Sequence, residues 1–64
     1  MNDYTAAFAA IVHRMSDTML IDMLCANEVH THDLIARNAP REQQEAADTT
    51  HGILRGELLR RLNN

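Results

Sequence analysis

The sequence predicts an all-α protein with three helices, over about residues 3–14, 17–37 and 40–62, in a single domain that spans residues 1–64. Apolar residues recur at the three- and four-residue spacing of an amphipathic helix. Only two glycines and one proline interrupt the 64 residues, and aromatic residues make up 3% of them. Because strands favour aromatic and β-branched side chains, this composition disfavours β-structure.

The first helix is predicted to start at an N-cap provided by Asn2 or Asp3. Tyr4 and Phe8 are the two aromatic residues of the chain, and we expect them to anchor this helix to the bundle or to a partner. The larger side chains recur every three or four residues and therefore share one face. They are Tyr4, Phe8, Ile11 and Met15.

The second helix is predicted to begin after Ser16, whose hydroxyl suits an N-cap, and Asp17 places a negative charge in its first turn. It is expected to end near Arg37. Cys25, the only cysteine, is predicted to be a buried or half-buried small apolar residue. Apolar residues occupy one half of this helix: Met19, Leu20, Met23, Leu24, Ala26, Leu34 and Ile35.

A break at 38–40 separates the second and third helices, because Pro40 suits a first helical turn and disfavours helix at the residue before it. A short connection makes consecutive helices antiparallel, so residues whose numbers sum to roughly 78 are expected to lie at one level of the hairpin. The third helix carries an apolar arc that includes Ala46, Ala47, Thr50, Ile53, Leu54, Leu58 and Leu62.

A polar layer is predicted in the middle of this hairpin, with Asn27 opposite His51. Burial of amides and imidazoles costs free energy unless they find hydrogen-bond partners. Polar groups at core positions can fix helix register and oligomeric state, which is the role we expect here. The layer consists of Asn27, His30, Thr31, Thr50 and His51.

Metal and cofactor sites are not expected. His30 and His32 point about 200° apart on a helix and cannot bind one ion together. A zinc site would need His30 and His51 with further ligands from another subunit or from His13. Catalysis also lacks support, because Ser16 is the only serine and serves as a cap, lysine is absent, and no phosphate-binding loop occurs.

Self-association is expected because a chain of 64 residues buries a small core and a single cysteine cannot form an internal disulfide. Gly52 and Gly56 each cost about 1 kcal/mol inside a helix relative to alanine, so a compensating contact is expected there. With Leu59 they are predicted to pack closely against the first helix or a second subunit. The predicted partner or oligomer interface therefore comprises Tyr4, Phe8, Gly52, Gly56 and Leu59.

The charge balance disfavours nucleic-acid binding. Nine acidic residues against six arginines give a net charge of −3, which repels a phosphate backbone unless the arginines cluster. Arg55, Arg60 and Arg61 lie near one end of the third helix and are the candidate nucleic-acid contacts. The alternative is that these cations complement the dipole at the end of the helix.

The sequence therefore favours a non-enzymatic helical interaction or regulatory module that forms a homodimer or higher oligomer. A further protein partner is expected, for which the module acts as an inhibitor or adaptor. Two alternatives remain: an RNA- or DNA-binding hairpin dimer and a structural subunit of a larger assembly. Without a signal peptide or a membrane-spanning segment, the chain is expected to be cytoplasmic.

In its length, its helical hairpin and its polar core layer, the predicted architecture resembles the Rop-like hairpin RNA-binding proteins, which dimerise into four-helix bundles. This resemblance implies a dimer and an RNA partner. The family has no counterpart of the first helix predicted here. A similar architecture is better evidence for a shared fold than for a shared function.

Overall fold

The computed structural model describes residues 3–64 and contains three α-helices in this range. They are α1 (Asp3–His13), α2 (Asp17–Ala36) and α3 (Arg41–Leu62). Their bounds differ from the predicted ones by one residue at most, so the all-helical prediction is confirmed. Asn2, the alternative N-cap of α1, lies outside the described residues.

Local signals set both ends of α2. Its N-cap is Ser16, whose hydroxyl oxygen accepts a hydrogen bond from the backbone N–H of Met19 at 3.2 Å. At its C-terminal end, Asn38 adopts the left-handed conformation with φ 55°. The N–H of Ala39 then donates to the carbonyl of Leu34 at 2.9 Å, as in a Schellman motif. Asparagine tolerates this conformation, so α2 ends at Ala36, four residues before Pro40.

Helices α2 and α3 pack against each other as an antiparallel hairpin. Asp17, in the first turn of α2, bonds to Arg61, in the last turn of α3, at 2.8 Å. Further along, Glu28 lies 3.0 Å from His51. These two pairs have sums of 78 and 79, in agreement with the predicted register.

The C-terminal end of α1 packs on the hairpin at the end away from the α2–α3 turn. Val12 of α1 is fully buried together with Leu20 of α2 and Leu54 of α3. Phe8 and Met15 pack against this cluster from the α1 side. The three helices therefore share one small core, and the turn end of the hairpin extends beyond it. Among residues 3–64, none of the helices contains an apolar stretch of the length that a membrane span requires.

Candidate interaction surface

The buried part of the polar layer is smaller than the sequence indicates. Asn27 is 9% exposed, and its Nδ2 donates to the carbonyl oxygen of Ala47 at 3.4 Å. Its Oδ1 and the hydroxyl of Thr31 are buried without a hydrogen-bond partner among residues 3–64. Asn27 follows the buried Leu20 by seven residues, which is nearly two helical turns, so it faces α3 directly. Within the hairpin, only the amide nitrogen of Asn27 in this buried part is satisfied.

The predicted pairing of Asn27 with His51 is not formed. The Nε2 atom of His51 lies instead 3.0 Å from Oε1 of Glu28, at the edge of the hairpin. His51 is about 60° away from the buried Leu54 around α3, which directs its ring to the side of the core. His30 is exposed for the same reason, because it is about 80° from Leu20 around α2.

Glu28 lies between two imidazoles. His51 approaches one carboxylate oxygen, and Nε2 of His32 lies 3.7 Å from the other. The three side chains stay partly exposed and do not form a metal site. In the described part of the chain, no group of three or more His, Cys, Asp or Glu side chains could hold a metal ion.

Cys25 is exposed, contrary to the predicted burial. It lies about 140° from Leu20 around α2, on the side that faces away from α3. The apolar half of α2 is therefore narrower than the sequence pattern indicates.

Arg61 joins the ends of all three helices. Its Nε donates to Oε2 of Glu57 at 2.7 Å, and its Nη1 donates to Oδ1 of Asp17 at 2.8 Å. Its Nη2 donates to three backbone carbonyl oxygens at the end of α1 and in the loop that follows: Val12 and His13, both at 3.3 Å, and Met15 at 2.6 Å. The guanidinium thus donates to carbonyl groups at the end of a helix, where intrahelical donors become fewer.

Glu57 is the anion at the centre of this junction, and its side chain is 9% exposed. It accepts hydrogen bonds from Arg60 at 2.6 Å and from Arg61, and His13 Nδ1 lies 3.2 Å from its Oε1. The guanidinium groups of Arg60 and Arg61 hold the pKa of Glu57 well below its usual range. Sequence reasoning missed this junction, although the i,i+4 spacing of Glu57 and Arg61 signals part of it.

The candidate nucleic-acid residues do not form one free cationic patch. Arg60, whose side chain is 48% exposed, and Arg61 both form ion pairs with Glu57. Both lie in the last turn of α3, where cations also complement the helix dipole. Arg55 is exposed and forms no ion pair with any residue in 3–64.

The hairpin has one face covered by α1 and one face without a helix on it. Glu57 contacts α1 through His13, and it lies about 60° to one side of Leu54 around α3. His51 lies about 60° to the other side, where it meets Glu28. We call the uncovered side the open face. On both helices it lies on the side of the buried residues that carries Glu28 and His51.

The open face carries apolar residues on either side of the Glu28–His51 contact. Its residues lie about 40–100° from Leu20 or Leu54, in the direction of that contact. On α2 they are Asp17, Ile21, Leu24, Glu28 and Ile35. On α3 they are Gln44, His51, Arg55, Leu58 and Leu62. Ile21, Ile35 and Leu62 are 49%, 59% and 72% exposed, so much of this apolar surface is in contact with solvent.

The single chain is less compact than its length allows. It exposes 4837 Å². A compact monomer of its 7.2 kDa is expected to expose about 4,100 Å². Its radius of gyration is 12.3 Å, compared with about 11 Å for a compact domain of this length. The excess of roughly 700 Å² is close to the ~800 Å² that each partner buries in a standard interface.

The residues predicted as an interface lie in three places. Tyr4 is 79% exposed, whereas Phe8 packs against the core. Gly52 and Gly56 are exposed, and a Cβ on either would have no neighbour within 4 Å. Contact of α1 with these glycines, one of the two predicted alternatives, is therefore wrong. Contact with a second subunit, together with the partly exposed Leu59, stays a prediction.

Two shallow grooves lie on the side of the hairpin that α1 partly covers. One, of about 430 Å³, lies at the turn end between α2 and α3 and includes His30 and Asn27 in its lining. The other, of about 280 Å³, lies between α1 and α3 and is lined in part by Tyr4. Ala46 and Thr50 line both grooves and separate them.

No model of a protein family matches the chain, and no curated protein or solved structure matches it either.

Proposed function

We propose that the protein is a non-enzymatic helical interaction module that works as a homodimer through its open face. The observation that carries the proposal is the exposed apolar surface on the side of the hairpin opposite α1. Ile21, Ile35 and Leu62 lie there in contact with solvent, on both helices of the hairpin. Exposed apolar surface that spans two helices is typical of an interaction site.

The small core of the chain supports self-association. Its buried apolar residues are Val12, Leu20, Leu34, Ala47 and Leu54. Helical chains of this length usually need a disulfide, a metal or a partner to supplement such a core. A second copy on the open face would bury the exposed isoleucines and Leu62 and so supply the missing apolar contacts.

The charges on the open face also support a second copy as the occupant. The face carries two acids on α2, Asp17 and Glu28, and a free cation on α3, Arg55. A two-fold symmetric dimer brings the same patch of each chain together, so a patch with both signs of charge can complement itself. The excess exposed area is close to that of one such interface.

The arginine contacts support a protein partner over a nucleic acid. Phosphate binding needs cations that are free to replace counterions. Arg60 and Arg61 already bind Glu57, and Arg37 and Arg41 form i,i+4 pairs with Asp33 and Glu45 at 2.8 and 2.9 Å. The net charge of −3 also disfavours nucleic-acid binding, because it repels the phosphate backbone.

The proposal is tested by placing one charge on the open face and the same charge on the outer side of α2. Ile21→Glu introduces a carboxylate into the proposed interface, at a position near the start of α2, where a negative charge suits the helix dipole. Val29→Glu is the matched control, because Val29 is 71% exposed and points about 180° from Leu20.

Light scattering after size exclusion gives the mass of each form. The unmodified protein and Val29→Glu are expected at twice the 7.2 kDa of one chain, and Ile21→Glu at the mass of one chain. Equal masses for the two variants contradict the proposed surface. Circular dichroism of both variants shows whether each keeps its helices.

A further inference from the structure

We infer that the two copies pack with α2 of one chain against α3 of the other, so that Glu28 of each chain contacts Arg55 of the partner subunit. The inference rests on the proposed homodimer and specifies its arrangement. Its basis is the unequal distribution of charge between the two helices of the open face and the register of the hairpin.

Acidic and basic groups lie on different helices of the open face. Glu28, on α2, has a side chain that is 57% exposed although it contacts His51. Arg55, on α3, is exposed, and it has no ion-pair partner within residues 3–64. Asp17, the other acid on this face, is also on α2 and already binds Arg61. The chain therefore presents on this face the carboxylate of Glu28 and the free guanidinium of Arg55, at positions that do not pair with each other within one chain.

This distribution distinguishes the two ways in which two hairpins can stack by two-fold symmetry. In one, α2 packs against α2 of the partner and α3 against α3 of the partner, so that acidic groups face acidic groups and basic groups face basic groups. In the other, the symmetry axis runs along the hairpin and α2 lies on α3 of the partner. Only the second arrangement places carboxylates opposite guanidinium groups, and like charges across an interface cost affinity.

The register of the hairpin places the two groups within reach in this arrangement. A two-fold axis along the hairpin keeps each residue at its own level, and Glu28 and His51 share one level. Arg55 follows His51 by four residues, which is about 6 Å along the helix. An arginine side chain that leans along the helix axis spans most of this distance, so its guanidinium can meet the carboxylate.

The apolar residues follow the same register. Ile21 lies at the level of residues 57–58, because the sums of contacting pairs are 78 and 79. In the inferred dimer it therefore packs against Leu58 of the partner subunit, whose side chain is half-buried on the open face. Exposed Leu62 lies one turn further along α3, at the same end of the hairpin. One arrangement thus pairs both the charges and the apolar side chains.

A charge-reversal experiment tests the arrangement directly. Glu28→Arg alone places two guanidinium groups together twice in the dimer, and Arg55→Glu alone places two carboxylates together twice. Each single variant is expected to weaken dimerisation about tenfold or more. When the two variants are mixed, both contacts become attractive, so a heterodimer is expected above the statistical fraction. Native mass spectrometry, with one variant carrying an inert mass label, measures that fraction.

Two controls separate the inferred contact from other effects. Glu28→Gln removes the negative charge without introducing a positive one, so it is expected to dimerise better than Glu28→Arg. Asp22→Arg reverses an exposed charge on the outer side of α2, about 160° from Leu20. Mixed with Arg55→Glu, it is expected to give less heterodimer than Glu28→Arg does. The double variant Glu28→Arg with Arg55→Glu is expected to dimerise like the unmodified protein.

The outcomes distinguish this inference from the proposed function. A statistical mixture of dimers, or a double variant that stays monomeric, overturns the α2-on-α3 arrangement even when the unmodified protein is a dimer that Ile21→Glu disrupts. A monomeric unmodified protein overturns the proposed function itself. If a single variant does not fold, the double variant alone decides: dimers support the arrangement and monomers contradict it.

Discussion

Arg61 Nε lies 2.7 Å from Oε2 of Glu57 at the point where the three helices meet. The same guanidinium reaches Asp17 in the first turn of α2 and the carbonyl oxygens at the end of α1. One side chain thus connects segments that are more than 40 residues apart in the sequence. It positions α1 on one side of the hairpin and so leaves the other side as the open face.

Loss of this junction is expected to destabilise the protein. Arg61→Met keeps an unbranched apolar stem but removes all the donors of the side chain, which leaves Glu57 with fewer partners and three carbonyl oxygens without this donor. We expect the melting temperature to fall by several degrees, whereas Arg55→Met, on the open face of the same helix, changes it less in the separated monomer. Equal melting temperatures for these two variants would show that the junction contributes little. The melting temperatures of both variants are measured in chains that also carry Ile21→Glu, so that dimerisation does not contribute to the difference.

Glu57 is expected to make stability depend on pH in the acidic range. Its pKa is lowered in the folded protein, so the stabilising contribution is present above the unfolded value of 4.5 and is lost as the pH falls below it. Urea unfolding between pH 7 and about pH 3 measures this loss. Glu57→Gln is expected to be less stable than the unmodified protein at pH 7 and to approach it in acid. A constant difference between the two proteins would exclude this role of Glu57.

Asn27→Leu is expected to raise stability by about 1 kcal/mol, because the substitution removes a buried amide oxygen that has no partner. The existing hydrogen bond to Ala47 is 3.4 Å long and closes within the same chain. The mass of the oligomer is therefore expected to stay unchanged. Thermal melts with light scattering check both points. Thr31→Val is the matched control, because it removes the other buried polar atom without a partner, the Thr31 hydroxyl oxygen. It is expected to be neutral or mildly stabilising. A lower melting temperature for Asn27→Leu contradicts the reasoning.

Gly52→Ala and Gly56→Ala test whether the glycine side of α3 is an interface. A Cβ at either position meets no atom within 4 Å, so each alanine is expected to stabilise the helix by about 1 kcal/mol without disturbing association through the open face. If the glycines contact a second subunit closely, as the sequence favours, alanine would weaken the dimer instead. Dissociation constants of the two variants decide between these surfaces.

The helices could be predicted from the sequence because local signals specify them. Ser16 caps α2, Asn38 and Pro40 separate α2 from α3, and these residues act on neighbouring backbone groups. The register followed from the short connection, since few residues separate the two helices and their ends must meet.

The content of the core was harder to predict, because it depends on small rotations around each helix axis. His30 and His51 lie about 60–80° from the buried line, close enough to seem central in a sequence pattern and far enough to be exposed or half-buried. The burial of Asn27 and Thr31 and the exposure of Cys25 follow from the same angles. A helical wheel shows which half of a helix is apolar, but it does not specify which residues of that half face the neighbouring helix.

The open face could not be predicted at all, because it depends on which side of the hairpin α1 covers. Contacts between residues that are distant in the sequence determine which side α1 covers. They include His13 with Glu57 and Arg61 with the end of α1. The sequence predicted self-association from chain length, but it assigned the surface to Gly52, Gly56 and Leu59. The exposed apolar residues of the open face lie about 100° away from these three residues around α3.

Sedimentation equilibrium of the unmodified protein over a wide range of concentrations tests the central claim most directly. The account predicts a mass that rises with concentration from that of one chain of 7.2 kDa to twice that value and no further, since a two-fold interface closes on itself. A mass of one chain at every concentration contradicts the claim.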